Sequence, residues 1–160
     1  MAGLFFCAGF ITYAVADYIS MVWWPMLTRV HHINFIVEDL EDGIRRFQAI
    51  LGRPPERTDT LAARGAITAT FQLGETALVL VQPTRADSTP GRHLAEHGEG
   101  FFLLSLETDD LAAEASRIDA SGVVGMAMTE PRHGIKNWRV MDLQSDDTWG
   151  AQLQLVQEGD

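Results

Sequence analysis

An internal repeat constrains the fold of this chain more than any other feature of its sequence. The segment VEDL at 37–40 is matched in the second half of the chain by TDDL at 108–111. Apolar residues follow each segment every three or four positions, which is the spacing of one helix face. Asp39 and Asp110 stand just before these helices, where a carboxylate caps a helix N-terminus. The repeat therefore predicts two copies of one structural unit.

Each copy also contains the alternating apolar pattern of strands. One strand precedes the helix, a weak strand follows it, and a hairpin ends the copy. Because neither copy alone can bury both faces of its sheet, we expect one α+β domain at 29–157. Two βαβββ modules, 29–83 and 101–157, with a linker at 84–100, would form curved sheets around a shared cleft, with the helices outside. The predicted strands are 31–37, 57–60, 66–73 and 76–83 in the first module, and 102–108, 126–130, 137–143 and 151–157 in the second.

Charge and cysteine content exclude several kinds of partner. The 160 residues include 12 Lys and Arg against 22 Asp and Glu, which gives a net charge of −10. A protein of this charge repels a phosphate backbone, so we expect no nucleic-acid partner. The one cysteine, Cys7, allows no disulfide within the chain. Since nothing here indicates an oxidising compartment, we expect a cytoplasmic protein.

Residues 1–25 form an apolar extension in which Asp17 is the one charged residue. The run before Asp17 is shorter than the roughly 20 residues of a spanning helix, so we expect no membrane segment. A secretory signal is the alternative, because residues 14–16 read Ala-x-Ala, but the basic start of such signals is missing. We interpret the segment as an extension upstream of the functional domain, since Met21 and Met26 are alternative starts. Its aromatic residues need cover from the domain or a partner subunit, and we expect a homodimer.

Short motifs in a fixed order carry a resemblance to a known family. In chain order they are His32-Ile33, Glu38-Asp39-Leu40, Leu51-Gly52, Gln82-Pro83, Asp87-Ser88 and Gly98-Glu99-Gly100. Together they resemble the vicinal oxygen chelate superfamily, the group of glyoxalase I, extradiol dioxygenases, bleomycin-resistance proteins and methylmalonyl-CoA epimerase. Within it they are most similar to the epimerase branch. The resemblance covers about residues 29–157 and implies a cleft for a small-molecule ligand.

The resemblance also implies a divalent metal held by four residues, whose places are taken here by His32, Val79, Leu103 and Gln154. His32 is a good ligand, but Val79 and Leu103 have no donor atom and an amide is a poor one. We therefore expect no metal and no other cofactor. The epimerase chemistry needs a carboxylate base where this chain has Ala63-Arg64-Gly65 and another where it has Gln154. These departures argue against methylmalonyl-CoA epimerisation and against glyoxalase I activity.

Strand parity predicts the side chains that line the cleft. We expect His32 to act as a base and Glu107 to orient it, because a neighbouring carboxylate raises the basicity of an imidazole and holds its tautomer. The alternative is that His32 is a hydrogen-bonded residue of the wall. The His31 side chain is expected to face the helix side of the sheet or to lie at the edge of the sheet. The predicted substrate-binding residues are Asn34, Thr70, Gln72, Ser105, Trp138 and Gln154.

Two functions of different classes follow from this site. The first is a metal-independent isomerase or lyase that acts on an enolisable carbonyl or acyl-CoA compound. The second is a non-catalytic protein that sequesters an aromatic or hydrophobic small molecule, with Trp138 as its main contact or else as a core residue. A third, a fold kept only for protein interaction, predicts a filled cleft. Arg132 and Lys136 are candidates to bind a ligand carboxylate or a CoA phosphate, with solvated surface residues as the alternative.

Overall fold

The computed structural model describes residues 27–134 and 137–159. The apolar extension at 1–25 and Lys136 lie outside these residues, and their expected roles stay predictions. Within the described residues, no helix combines the length and the hydropathy required to cross a membrane.

In chain order the elements are β1 (Leu27–Ile36), α1 (Leu40–Leu51), β2 (Arg57–Leu61), β3 (Ala66–Leu73), β4 (Thr76–Pro83), α2 (Thr89–His97), β5 (Gly100–Thr108), α3 (Leu111–Ala120), β6 (Arg132–His133), β7 (Arg139–Asp142) and β8 (Leu153–Gln157), with 3₁₀ turns at Ala62–Arg64 and Asp146–Thr148.

The two repeat helices form where the repeat predicts them. The Asp39 side chain accepts a hydrogen bond from the backbone N–H of Asp42 and starts α1. Asp110 starts α3 in the same way, by accepting from the N–H of Ala113. Gly52 ends α1 with a φ of 71°, a left-handed conformation that glycine adopts without steric cost. Both predicted N-terminal caps are confirmed.

The eight strands form one continuous sheet in the order β2-β3-β4-β1-β5-β8-β7-β6. β1 pairs in parallel with β4 and antiparallel with β5, so the two modules join at their first strands. The predicted α+β fold of two βαβββ modules is confirmed, and the sheets of the two modules are halves of a single curved sheet. The strands β2 and β6 are its two edges.

Alternate residues of β4 face opposite sides of this sheet. Leu80 belongs to an apolar cluster with Phe71 and the residues of α1 on the outer side. Val79 and Val81 belong to a second cluster and line a cavity on the inner side. In the second module α3 packs on β7 and β8. The inner face of the sheet is therefore available for a ligand.

The weak strand predicted at 126–130 lies instead at Arg132–His133. Met126 makes only an isolated bridge with Leu143. Pro131 has no N–H to give to a strand ladder, and regular pairing begins just after it, where Arg132 lies opposite Val140. This shift brings the β6 arginine to the cavity.

Candidate functional site

The inner face of the sheet encloses a cavity of about 660 Å³. Cavities of this size are typical of small-molecule sites. The filled cleft expected for a pure interaction module is therefore wrong for this chain. The apolar part of the lining consists of Ala66, Ala77, Val79, Val81, Phe102 and Leu103.

Five of the residues predicted for the site line this cavity. They are His32, Asn34, Thr70, Trp138 and Gln154. A sixth, Ser105, is fully buried, and its hydroxyl lies within hydrogen-bond distance of His32 and Gln154. Strand parity thus placed most of the predicted residues correctly at or beside the cavity wall.

The other two predicted residues make contacts elsewhere. The Gln72 amide donates a hydrogen bond to the backbone oxygen of Gly74, in the turn between β3 and β4. Glu107 pairs with Arg29, and its Oε2 lies 4.0 Å from Nε2 of His31. Glu107 is therefore a neighbour of His31, where the sequence predicted a direct contact with His32.

His31 is buried and its ring contacts that of His32, where the sequence predicted the helix side or the edge of the sheet. In a regular strand the side chains of His31 and His32 would face opposite sides of the sheet. The pairing of β1 with β5, however, shifts register between Val30 and His32. Both histidines are consequently buried, with exposed fractions of 4% and 7%. Both rings contact Trp138, His31 edge-on with centroids 4.5 Å apart and His32 stacked at 5.7 Å. Nothing in the sequence marks this shift except the adjacent pair of histidines.

A series of hydrogen bonds beside the cavity determines which atoms carry protons. Asp142 Oδ1 accepts from Gln154 Nε2 at 2.6 Å, so Gln154 Oε1 accepts from the Ser105 hydroxyl at 2.8 Å. Ser105 Oγ then accepts from His32 Nε2 at 3.1 Å, and His32 Nδ1 accepts from His31 Nδ1 at 2.7 Å. His32 is therefore a neutral imidazole protonated on Nε2. We refer to these five residues as the polar chain.

The polar chain ends at carboxylates near the surface. His31 Nε2 lies 2.8 Å from Glu158 Oε1, within hydrogen-bond distance. Glu158 and Glu107 both face this ring. Because the Glu158 side chain is 50% exposed, the polar chain connects the cavity wall with solvent.

Burial lowers the pKa of His32 to about 3, together with smaller effects of the neighbouring charges on His31 and Arg64. His32 is thus uncharged at physiological pH. An imidazole with this pKa is a weak base, since general bases work best when their pKa is near the operating pH. In the resting arrangement His32 is a hydrogen-bond donor to Ser105.

Positive charge is concentrated around the cavity of a protein that is acidic overall. The described lining residues include five arginines and two aspartates, against a net charge of −10 for the whole chain. Sequence reasoning proposed only one of these arginines as a ligand contact. The composition carries a signal that was not used, because all of the 12 Lys and Arg residues except Lys136 are arginines. The five arginines are Arg57, Arg64, Arg85, Arg92 and Arg132.

Arg64 is a partly buried cation at the opening of the curved sheet. Its guanidinium donates to the backbone oxygen of His133 at 2.9 Å, and this bond spans from the turn after β2 to the other edge strand, β6. Burial lowers the pKa of Arg64, and Arg132 lowers it further against the opposing effect of Asp142. Asp142 is already bound to Arg132 through both carboxylate oxygens. In the described part of the chain, Arg64 itself forms no ion pair.

The residues at the metal positions implied by the family resemblance do not fit a metal ion. All four of those positions, His32, Val79, Leu103 and Gln154, line the cavity. Val79 and Leu103 offer only alkyl groups. Both His32 nitrogens and both polar atoms of the Gln154 amide are engaged within the polar chain. A divalent ion would have to break these hydrogen bonds to gain two donor residues.

Comparison with known proteins places this geometry in a family. The family described as the Glyoxalase/Bleomycin resistance protein/Dioxygenase superfamily matches residues 31–141. "Uncharacterized protein YqjC" of Bacillus subtilis (strain 168) is 22% identical over 131 residues, which are 82% of this chain and 93% of that protein.

Solved structures of methylmalonyl-CoA epimerases have the same fold as this chain. A variant of Streptomyces coelicolor methylmalonyl-CoA epimerase, in complex with 2-nitronate-propionyl-CoA, is 31% identical with a TM-score of 0.76, and the match covers 84% of this chain and 96% of that one. The methylmalonyl-CoA epimerase from Mycobacterium tuberculosis has a TM-score of 0.77 at 22% identity, covering 85% and 91% of the two chains, a likeness of fold alone.

Proposed function

The chain belongs to the glyoxalase/bleomycin resistance protein/dioxygenase superfamily, and we propose that its cavity binds a small organic anion, a carboxylic acid or its acyl thioester. The observation that carries this proposal is the Arg64 guanidinium, partly buried at the cavity with no carboxylate partner in the described residues. A buried charge without a counter-charge is costly. A ligand carboxylate would supply that counter-charge, and the planar guanidinium suits it for two parallel hydrogen bonds.

The remaining lining supports a ligand with an apolar body. Valine, leucine, alanine and phenylalanine side chains cover one part of the wall, and the arginines stand around it. Such a mixture of apolar surface and a few placed polar groups is the usual lining of a small-ligand site. The Streptomyces epimerase binds an acyl-CoA analogue, which supports the acyl thioester as one form of the ligand.

Binding without epimerisation is the activity that these residues favour. The segment Ala63-Arg64-Gly65 and Gln154 stand where the family resemblance implies carboxylate bases, and neither place holds a carboxylate. A guanidinium stays protonated at physiological pH, and an amide has no basic site able to take a proton from carbon. The proposal therefore favours the second class of function expected from the sequence, a binding protein, with a negatively charged ligand.

Pairs of probes that differ by one carboxylate charge test this proposal. We expect pentanoate to bind at least ten-fold more tightly than neutral pentanamide in an NMR titration, and methylmalonyl-CoA more tightly than propionyl-CoA. Arg64→Gln should remove both preferences, because the guanidinium is the counter-charge. Arg53→Gln, at an exposed arginine that is not part of the lining, is the matched control and should keep them. Equal binding of acid and amide by the unmodified protein would contradict the proposal.

A second candidate function is a metal-independent isomerase or lyase with His32 as base. It is favoured by the polar chain, which links His32 through His31 to Glu107 and Glu158 and so offers a route for a proton to solvent. In D₂O we expect such an enzyme to exchange the α-protons of bound propionyl-CoA. His32→Ala should stop the exchange, and Glu107→Gln should slow it with binding unchanged. Absence of exchange at saturating propionyl-CoA would eliminate this candidate.

A further inference from the structure

Three possible metal ligands from separate parts of the chain meet at the surface end of the polar chain. They are Nε2 of His31, a carboxylate oxygen of Glu107 and one of Glu158, and they lie within 4.8 Å of one another. The residues come from β1, from β5 and from the segment just after β8. These three described residues do not line the cavity, and none of them takes one of the four metal positions implied by the family resemblance.

The distances in this cluster are close to those around a bound divalent ion. Nε2 of His31 lies 2.8 Å from Oε1 of Glu158 and 4.0 Å from Oε2 of Glu107. A tetrahedral ion with bonds of about 2.0–2.2 Å holds its ligand atoms roughly 3.3–3.6 Å apart. Small rotations of the two carboxylates would bring both distances into this range. Because Glu158 is half exposed, an ion can enter from solvent.

The polar chain directs an electron pair of His31 toward these carboxylates. His32 Nδ1 accepts from His31 Nδ1, so a neutral His31 ring has its proton on Nδ1 and a lone pair on Nε2. At 2.8 Å this lone pair and the Glu158 oxygen repel each other unless a cation lies between them. Histidines that bind metals are commonly oriented in this way, because their second ring nitrogen donates to a neighbouring acceptor.

Glu107 gives a second, independent indication. Its Oε2 is buried and accepts no hydrogen bond in the part of the chain that the structure describes. It forms an ion pair with Arg29, whose Nη2 lies 2.5 Å away. The same guanidinium also lies 3.7 Å from Glu158 and donates to the backbone oxygen of Glu75. One arginine thus faces two carboxylates, and a buried oxygen is left for a metal ion to bind.

We propose that His31, Glu107 and Glu158 hold a divalent transition-metal ion of the type of Zn²⁺. One imidazole nitrogen with two carboxylate oxygens is a donor set that zinc accepts, and three protein ligands leave a fourth position for water. The ion would join the first strands of the two modules to the segment after β8. It would also keep the His31 proton on Nδ1, where it donates to His32.

Calorimetric titration of the metal-free full chain with Zn²⁺ tests this inference. We expect one tight site, and at least ten-fold weaker binding in Glu158→Gln, because even residues that only orient a metal ligand are worth that much. Mg²⁺, which prefers oxygen ligands, should bind far more weakly. Glu56→Gln, at an exposed glutamate just before the edge strand β2, is the matched control and should bind Zn²⁺ as the unmodified protein does.

The histidines of α2 are another place where Zn²⁺ could bind, since His93 and His97 stack one turn apart. His97→Gln should nevertheless leave the tight site unchanged. Zn²⁺ should also shift the NMR signal of the Trp138 indole, whose ring centroid lies 4.5 Å from that of His31. Binding that is lost in His97→Gln and kept in Glu158→Gln would overturn the proposal.

Removal of the competing guanidinium gives a result of opposite sign. Arg29→Gln should tighten Zn²⁺ binding about two- to five-fold, because Arg29 and the ion share the two carboxylates. An unchanged affinity would overturn the proposal, since the ion would then lie away from Arg29.

Thermal unfolding gives a readout that needs no assay of activity. Zn²⁺ at about one hundred times its Kd should raise the Tm of the unmodified protein by about 5–10 °C, and that of Glu158→Gln by much less. If Zn²⁺ neither binds nor raises the Tm, the cation between His31 and Glu158 is a proton on Nε2, and the proposal fails. The anion site at Arg64 would be unaffected by that failure, because the two sites share no residue.

Discussion

Gly91→Ala is expected to destabilise the folded protein by about 3 kcal/mol, the upper end of the usual cost of overpacking. Alanine is the better helix former, so propensity alone predicts the opposite sign. A Cβ at Gly91 would lie 2.2 Å from the backbone oxygen of Arg85 and 2.9 Å from that of Ala86. Backbone atoms cannot move aside as the end of a flexible side chain can, so α2 or the segment before it must shift.

Urea unfolding of the two proteins measures this effect. Gly125→Ala is the matched control, because a Cβ there meets only side-chain atoms, the nearest at 3.4 Å, and its stability should change little. A shift of α2 would also change the shape of the cavity, because α2 begins with Thr89 and Pro90 and both residues line it. A Gly91→Ala protein as stable as the unmodified one would show that α2 is not held against this segment as closely as the structure indicates.

Lowering the pH from neutrality to about 5 is expected to cost the fold about 2 kcal/mol through His32 alone, because stability falls by about 1.4 kcal/mol for each pH unit below the unfolded pKa of 6.5. In the unfolded chain His32 titrates near its ordinary pKa of 6.5, whereas in the fold it stays neutral until about pH 3. Between these values the unfolded state binds more protons, so stability is fully present above about pH 6.5 and is lost as the pH falls.

A comparison with His32→Gln isolates this contribution. Burial also lowers the pKa of His93, so other groups contribute to the acid sensitivity of the unmodified protein. The difference between the two proteins, measured by urea unfolding at several pH values between 5 and 7.5, removes those common contributions. Parallel curves for the two proteins would contradict the buried, neutral state of His32.

The local parts of the fold were predictable because their determinants are local. Aspartates at 39 and 110 precede helices whose apolar residues recur at helical spacing. The predicted strands at 66–73 and 76–83 agree with β3 and β4. The pattern failed at 126–130, where composition allowed a strand but only an isolated bridge at Met126 forms, and the regular ladder with β7 lies at Arg132–His133.

The site was predictable as far as regular alternation holds. His32, Asn34, Thr70 and Gln154 point to the cavity as counting by twos along each strand predicts. His31 was misplaced because the irregular pairing of β1 with β5 depends on how two distant segments fit together. Arg64 lies in a 3₁₀ turn, where no periodicity indicates direction, and only the curvature of the sheet brings it to His133.

The sequence by itself determined the two-module α+β architecture, because periodicity and capping are properties of neighbouring residues. The family resemblance added that two of the implied metal positions, Val79 and Leu103, have no donor atom. The tertiary structure alone decided the electrostatics of the cavity. In an acidic chain, five arginines from separate elements converge on one cavity because the sheet closes toward its own edges. Charge carries no periodic signal along a strand or helix, so its distribution in space follows from the fold and is not readable from the order of residues.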